Sequence, residues 1–440
     1  MLSILYLPLL FISGYNLIFS IIKNRDALGL HFFNFLYFYI YGLCGLYSFI
    51  DFDKNKEIYS MFERSDFYIA FSIFIVTITY ILSIYFYNYV RKIYIPDFSN
   101  YLNERNLLLA SNVSLLMCFL FIIVYSAQYG GVYNALQYSA VIRAGYGEID
   151  DGSKLTFVKY LMPIGVFPFL MYGYKYVQKP KIYIAILWFL SFIIVFFAFL
   201  LMSGRTRIVI YILAMLIIVS YVNKNKFNVL KFIKFLPLIG LAVFIVIEGK
   251  NLFSSLGDLL DGSKISEVVN NNEKKESFLE AFLGYFSHRT YSLEASLSYI
   301  SQYNNLYWFR DNFNMPLYLI PERLTGIVKP DSISYYNTEV LTGVYDSMIP
   351  PGILAYGSYS MWLPGIIISS FIFVGFFSLL DNFFYRNKEK KYLLVFTLPC
   401  IVVWGLYGSS GDFRVLTNSF SYILVFLLML IVFKILSKVR

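Results

Sequence analysis

The sequence predicts an all-α polytopic membrane protein, with about eleven transmembrane helices and one long outer loop that contains amphipathic helical segments. Three observations predict it. Charged residues make up only 14% of the 440-residue chain, against about a quarter in a soluble globular protein. Apolar stretches of roughly the 20 residues needed to cross a bilayer recur along the chain. Lys and Arg collect in alternate connections.

The spans are expected at residues 2–22, 27–50, 67–90, 107–126, 156–177, 182–202, 208–222, 235–249, 352–380, 392–408 and 415–433. They divide the chain into a first membrane block (1–249), the long loop (250–351) and a final membrane block (352–440). The stretch from Leu2 has no basic leader and no small-residue cleavage site, so it is expected to be a retained helix. More than half of the 36 basic residues fall on one side. They include Lys23, Arg25, Arg91, Lys92, Arg105, Lys175, Lys179, Lys181, Lys224, Lys226, Lys231, Lys234, Arg386, Lys388, Lys390, Lys391, Lys434, Lys438 and Arg440. That side is expected to be cytoplasmic, with the N-terminus and the long loop outside.

Composition excludes several classes. The net charge of +9 belongs to this topological asymmetry and not to a nucleic-acid face. Cys44, Cys118 and Cys400 sit inside apolar stretches as small hydrophobes. Only His31 and His288 are available as imidazole ligands, so no His-rich metal centre is expected, and no other cofactor is either. Cytoplasmic segments are too short for a nucleotide-binding domain, and no phosphate-cradling glycine loop appears. The aromatics, 41 Tyr and 45 Phe, suit lipid-facing surfaces and the headgroup belt. Any chemistry is therefore expected to face outward.

The outer segments supply the candidate residues. SGRTR (203–207) places Arg205 and Arg207 at the start of a helix, with Gly204 allowing close backbone approach. Free N–H groups and paired guanidinium forks there make an anion site, against the simpler reading of two arginines snorkelling to headgroups. Residues 257–276 read as solvated. Residues 277–300 show apolar positions at helical spacing, which predicts a helix lying in the membrane interface with Glu280, His288, Arg289 and Glu294 on it. Pro350–Pro351 with Gly352, Gly357 and Gly365 predicts irregular backbone at membrane depth. Arg143, Arg310, Arg323 and Arg414 bring the outer arginines of these segments to seven, and Glu339 and Asp346 are nearby acids. Cations that stay charged, set among aromatics, describe a cavity for an anionic, sugar-bearing lipid.

The chain resembles the Wzy-type O-antigen and enterobacterial common antigen repeat-unit polymerases. The resemblance rests on SGRTRIVIYIL, on FLGYFSHRTYSLEASLSYISQYNNL with Arg289 and Glu294, and on IPERLTGIVKPDSISYYNTEVLTG followed by IPPGILAYGSYSMWLPG with Glu339. It covers about 200–370; elsewhere it is architectural, and His288 has no family counterpart.

The resemblance implies a glycosyltransferase of the bacterial inner membrane, its active site facing the periplasm or exterior. It would polymerise repeat units carried on undecaprenyl diphosphate, without metal or nucleotide. Arg205, Arg207, Arg143, Arg323 and Arg414 are then the diphosphate cations, and Glu294, Arg289 and Glu339 the catalytic group. Glu294 and Arg289 would face each other across a cleft. The implied partners are the lipid-linked glycans, membrane lipids and a chain-length regulator, with no nucleic acid. The alternatives are an O-antigen or capsule ligase of the same layout, a polyprenyl-phosphate glycosyltransferase using Asp51 and Asp53, and a flippase for the same lipid. Spans almost free of charge argue against the flippase.

Overall fold

The computed structural model describes residues 2–23, 26–93, 102–136, 155–202, 205–222, 278–345 and 348–439. All regular structure among them is helical. Eight helices are long and apolar enough to cross a membrane, and the chain is a polytopic membrane protein. They are α1 (Tyr6–Lys23), α2 (Leu28–Lys54), α3 (Asp66–Val90), α4 (Glu104–Ala127), α6 (Ile182–Leu201), α12 (Ile353–Arg386), α13 (Lys391–Gly408) and α14 (Phe413–Val439). The other helices are α5 (Val166–Gln178), α7 (Arg205–Val222), α8 (Phe278–Tyr303), α9 (Arg310–Tyr318), α10 (Glu322–Thr325) and α11 (Ile333–Thr342).

Three of the eleven expected spans differ. The span at 235–249 lies outside the described residues. The span at 156–177 is broken into short 3-10 turns at Thr156–Tyr160 and Met162–Gly165 before α5 begins. Pro163 and Gly165 explain the break, since proline cannot donate to a helix ladder and glycine weakens one. The span at 208–222 is the apolar part of α7, shorter than a full crossing.

The helices bury two cores. In one, α1, α2, α3, α8 and α12 pack around Phe33, Tyr37, Tyr80, Tyr359, Phe373 and Phe377. In the other, α4 to α7 pack with α13 and α14 around Phe167, Phe199, Tyr211, Tyr422 and Phe426. Small polar side chains bind helices together where lipid gives no hydrophobic drive. Ser370 of α12 meets Tyr37 of α2 at 3.0 Å and Ser83 of α3 at 2.7 Å. Near the basic end, Asp381 is buried and accepts from the N–H groups of Gly29 (2.8 Å) and Leu30 (2.9 Å) and from the Tyr87 hydroxyl (2.6 Å). An acid on α12 thus caps the N-terminus of α2, which sequence reading did not anticipate because it ended that span at 380.

Two elements at the other end, the loop end, set the site. The first is a chain reversal inside α12. Met361 and Trp362 leave helical geometry, Trp362 at φ 54°. A β-carbon on Gly365 would overlap the Gly357 carbonyl oxygen. Residues eight apart in a straight helix are about 12 Å apart, so 353–360 folds back against 363–386. Pro364 starts the second limb, where its missing N–H costs nothing. The reversal frees the Tyr359 and Ser360 carbonyls, and the N–H groups of Tyr307 (2.8 Å) and Trp308 (3.1 Å) donate to them. Within the Pro350–Gly365 stretch, expected to be irregular, the backbone breaks from the helix at Met361 and Trp362, while Ile353 to Ser360 is helical.

The second is α8, and here the structure corrects an expectation. Residue 287 and residues 289–297 are buried all round, and α8 packs on α2, α3, α11 and α12. It is inserted between helices, and this stretch has no solvated polar face. Ser287, Thr290, Ser292, Ala295 and Ser296 are small enough to admit close neighbours on faces that an amphipathic reading leaves to water.

Candidate functional site

The last two spans are joined by a segment with a non-standard backbone. Trp404–Gly408 is π-helical, and residues 409–412 turn with Gly411 at φ 71°. The Gly352 N–H donates to the Ser410 carbonyl at 2.7 Å, and the Ile353 N–H to the Ser409 carbonyl at 3.2 Å. A β-carbon on Gly411 would stand 2.5 Å from the Gly352 carbonyl oxygen, so this close contact requires glycine. The turn therefore anchors the start of the short limb of α12.

Two of the arginines singled out from sequence reach this segment from opposite cores. Arg289 of α8 is 5% exposed, and its Nη1 donates to Ser409 Oγ at 2.8 Å. Its guanidinium lies 4.2 Å from the Phe286 ring centroid, and its stem packs on Gly352. Arg207 of α7 donates from Nε to the Tyr407 hydroxyl, lies 5.2 Å from that ring, and points Nη1 at Met202 Sδ, 3.4 Å away. The two cations end on residues two apart in the chain. Arg414 follows, half-buried, in the first turn of α14. Arg143 lies outside the described residues, as do the side chains of Arg205 and Arg323.

The proposed acids are elsewhere. Glu294 is fully buried and faces Arg64, in the connection between α2 and α3. Arg64 donates from Nε and Nη2 to its two carboxylate oxygens, each at 2.7 Å, and from Nη1 to the Ser48 carbonyl at 3.1 Å. The guanidinium is sandwiched at 4.6 Å from Phe49 and 5.3 Å from Phe52. Burial pulls the Arg64 guanidinium down, but the bond to Glu294 outweighs it and holds the group above its ordinary range. Both oxygens of Glu294 are thus spent on one fork. Glu294 and Arg289 do not face each other across a cleft; the helix that carries them lies between. Glu339 is exposed on α11. His288 keeps Nε2 buried without a hydrogen-bond partner. Burial, then the charge of Arg289, pushes its pKa down to about 3, so the imidazole is neutral beside that cation.

Two acids that sequence reading passed over stand beside the segment. Asp412, in the turn itself, accepts from Ser332 Oγ at 3.0 Å, from Ser334 Oγ and from the Val415 N–H at 3.0 Å. Asp311 of α9 accepts from the Tyr307 hydroxyl (2.7 Å), the Tyr318 hydroxyl (3.1 Å) and the Ile333 N–H (3.0 Å). Between them the two carboxylates hold residues 332–334, the entry to α11, against α14. The only signal in the sequence was two acids beside arginines, Arg310–Asp311 and Asp412 near Arg414. Among the described residues no group of three metal-ligating side chains comes together.

Asp311 gives a pH test. Burial, partly offset by its donors, pushes its carboxyl up to about 6, against about 3.9 in an unfolded chain. Between roughly pH 4 and 6 the folded protein holds a proton that the unfolded chain has lost, so stability falls as pH rises through that window. Thermal unfolding in detergent should show this slope, and Asp311→Asn should flatten it.

Compared with protein-family models, curated proteins and solved structures, the chain matches none.

Proposed function

We propose that this protein is a glycosyltransferase that joins repeat units carried on a polyprenyl diphosphate, working at the membrane face opposite its basic connections. The observation that carries the reading is the convergence of Arg289 and Arg207 on Ser409 and Tyr407. A loop-end segment held by cations from both cores suits a departing diphosphate, and Arg414 on its far side adds to that field. In the reaction a sugar hydroxyl of the incoming unit attacks the anomeric carbon of the growing chain. The new C–O bond replaces the bond to diphosphate, which leaves with the electron pair, and the hydroxyl proton passes to a base or to water. Arg289, beside the turn and the short limb of α12, is the cation we place on the leaving group. Glu294 is not the base, since its charge is consumed by Arg64.

The test feeds purified protein an undecaprenyl-diphosphate oligosaccharide and runs the products on a gel. A ladder supports polymerisation; transfer only to a non-prenyl acceptor would make the protein a ligase, and no transfer would remove the reading. Arg289→Ala is expected to cost about 100-fold or more in rate. Arg289→Lys should recover only part of it, because the ammonium lacks the guanidinium fork. Protein level should stay unchanged and EDTA should have no effect.

A further inference from the structure

The two most exposed large apolar side chains among the described residues lie at the loop end and not on a span: Val328 at 80% and Phe313 at 79%. Phe313 and Leu317 share one face of α9 with Arg310 by helical spacing, and all three are exposed. Leu319 and Ile327 are exposed too. Lys329 Nζ donates to the Tyr318 carbonyl at 2.9 Å, which brings 327–329 alongside the end of α9. Five apolar residues thus make one patch, larger than scattered surface hydrophobics would give, with Arg310 and Lys329 at its edges. Among the described residues neither cation forms an ion pair. Burial and the charge of Arg414 push the Lys329 pKa down, partly offset by Glu322, so positive charge gathers here.

The level of this patch follows from α12. Arg386 ends that helix at the basic end. The hydrocarbon core is about 30 Å thick, or about 20 residues of helix, so its far boundary falls near residue 366. Gly357 of the short limb lies against Gly365, at that boundary. Tyr356, the residue before it, donates to Asn312 Oδ1 of α9 at 2.6 Å, and its ring lies 4.8 Å from Phe413 at the start of α14. Helix α9 therefore sits where acyl chains give way to headgroups. Trp308 and Trp362, both exposed, stand beside it, since the Trp308 N–H is bonded to the Ser360 carbonyl, and exposed tryptophan marks that zone. We propose that α9 and residues 319–329 form an anchor seated in the leaflet at the loop end. Phe313, Leu317, Leu319, Ile327 and Val328 enter the acyl boundary, and Arg310 and Lys329 bind the phosphates of anionic lipid headgroups. An apolar face edged by cations is what such a surface takes up. The anchor does not depend on the glycosyltransferase reading, since no substrate enters the argument.

The experiment places a spin label at Phe313→Cys or Val328→Cys in the full chain, reconstituted in phosphatidylcholine vesicles with and without phosphatidylglycerol. Cys44, Cys118 and Cys400 are buried, so the new cysteine takes the label. Both positions are exposed, so neither change threatens folding. Oxygen, which concentrates in lipid, should relax both labels more than a water-soluble nickel chelate does. Glu57→Cys, exposed in the α2–α3 connection, should show the reverse. Phosphatidylglycerol should raise the ratio of immersed to solvent-exposed label. Arg310→Gln with Lys329→Gln should lower that ratio by about fivefold per cation removed. Labels at 313 and 328 that respond mainly to nickel would overturn the anchor and leave a solvated patch. Labels shielded from both reagents would overturn it in favour of a protein covering, another part of this chain or a second copy. Immersed labels indifferent both to phosphatidylglycerol and to the double variant would overturn the role given to the two cations.

Discussion

Replacing Glu294 by Gln is expected to destabilise the protein by about 3–5 kcal/mol, the cost of leaving the other half of a buried ion pair without its partner. Arg64 cannot escape to water, because it is pinned between Phe49 and Phe52 and its side chain is only 8% exposed. Arg64→Ala should cost a similar amount, since it strands a carboxylate that is fully buried. The double variant Arg64→Met with Glu294→Met should recover most of the loss, because apolar side chains of similar volume bring no charge that must be desolvated. Transition temperature in detergent, and the fraction of protein eluting as a monodisperse peak, are the measurements. Should Glu294→Gln keep full stability and lose only sugar transfer, the carboxylate acts on substrate after all.

The second large effect is expected at Gly365. Adding one methyl group there drives it into the Gly357 carbonyl oxygen, and rigid backbone on both sides leaves nothing to move aside. Gly365→Ala should cost more than about 3 kcal/mol, well beyond a typical substitution. Gly326→Ala serves as control. Its φ of 69° disfavours alanine, but no atom lies within 4 Å of the added carbon, so about 1 kcal/mol is expected. Equal stabilities of the two variants would mean that 353–360 does not pack against the limb that follows.

Much of the membrane architecture was legible because hydropathy over 20 residues is a local property. All eight long helices coincide with expected spans, including the pair that brings residues 404–414 to the loop end. What misled was anything decided by a partner distant in sequence. Residues 277–300 carry the spacing of an interfacial helix, yet Ser287, Ser292 and Ser296 mark a helix that other helices enclose. Glu294 looked available because its partner, Arg64, sits 230 positions earlier in a connection that reads as solvated. The seven arginines of the outer segments share a side of the membrane by sequence, and nothing local tells them apart. Only the fold reveals that Arg289 and Arg207 reach neighbouring residues while Glu339 faces away. Asp311 and Asp412 were visible as letters, but their role depends on Ser332, Ile333 and Ser334, which no periodicity marks.

The separations within these buried pairs also bear on how the chain is made. A membrane protein enters the bilayer in order of synthesis, so Arg64 must wait for Glu294, and the N-terminus of α2 must wait for Asp381, more than 350 residues later. Until then a guanidinium and a set of backbone donors are held in an unfinished bundle, where something else, water or the insertion machinery, has to satisfy them. The first three spans therefore reach their final packing only after the last third of the chain has been translated. Polypeptides that stop short of residue 381 should be long-lived clients of quality control and not stable fragments.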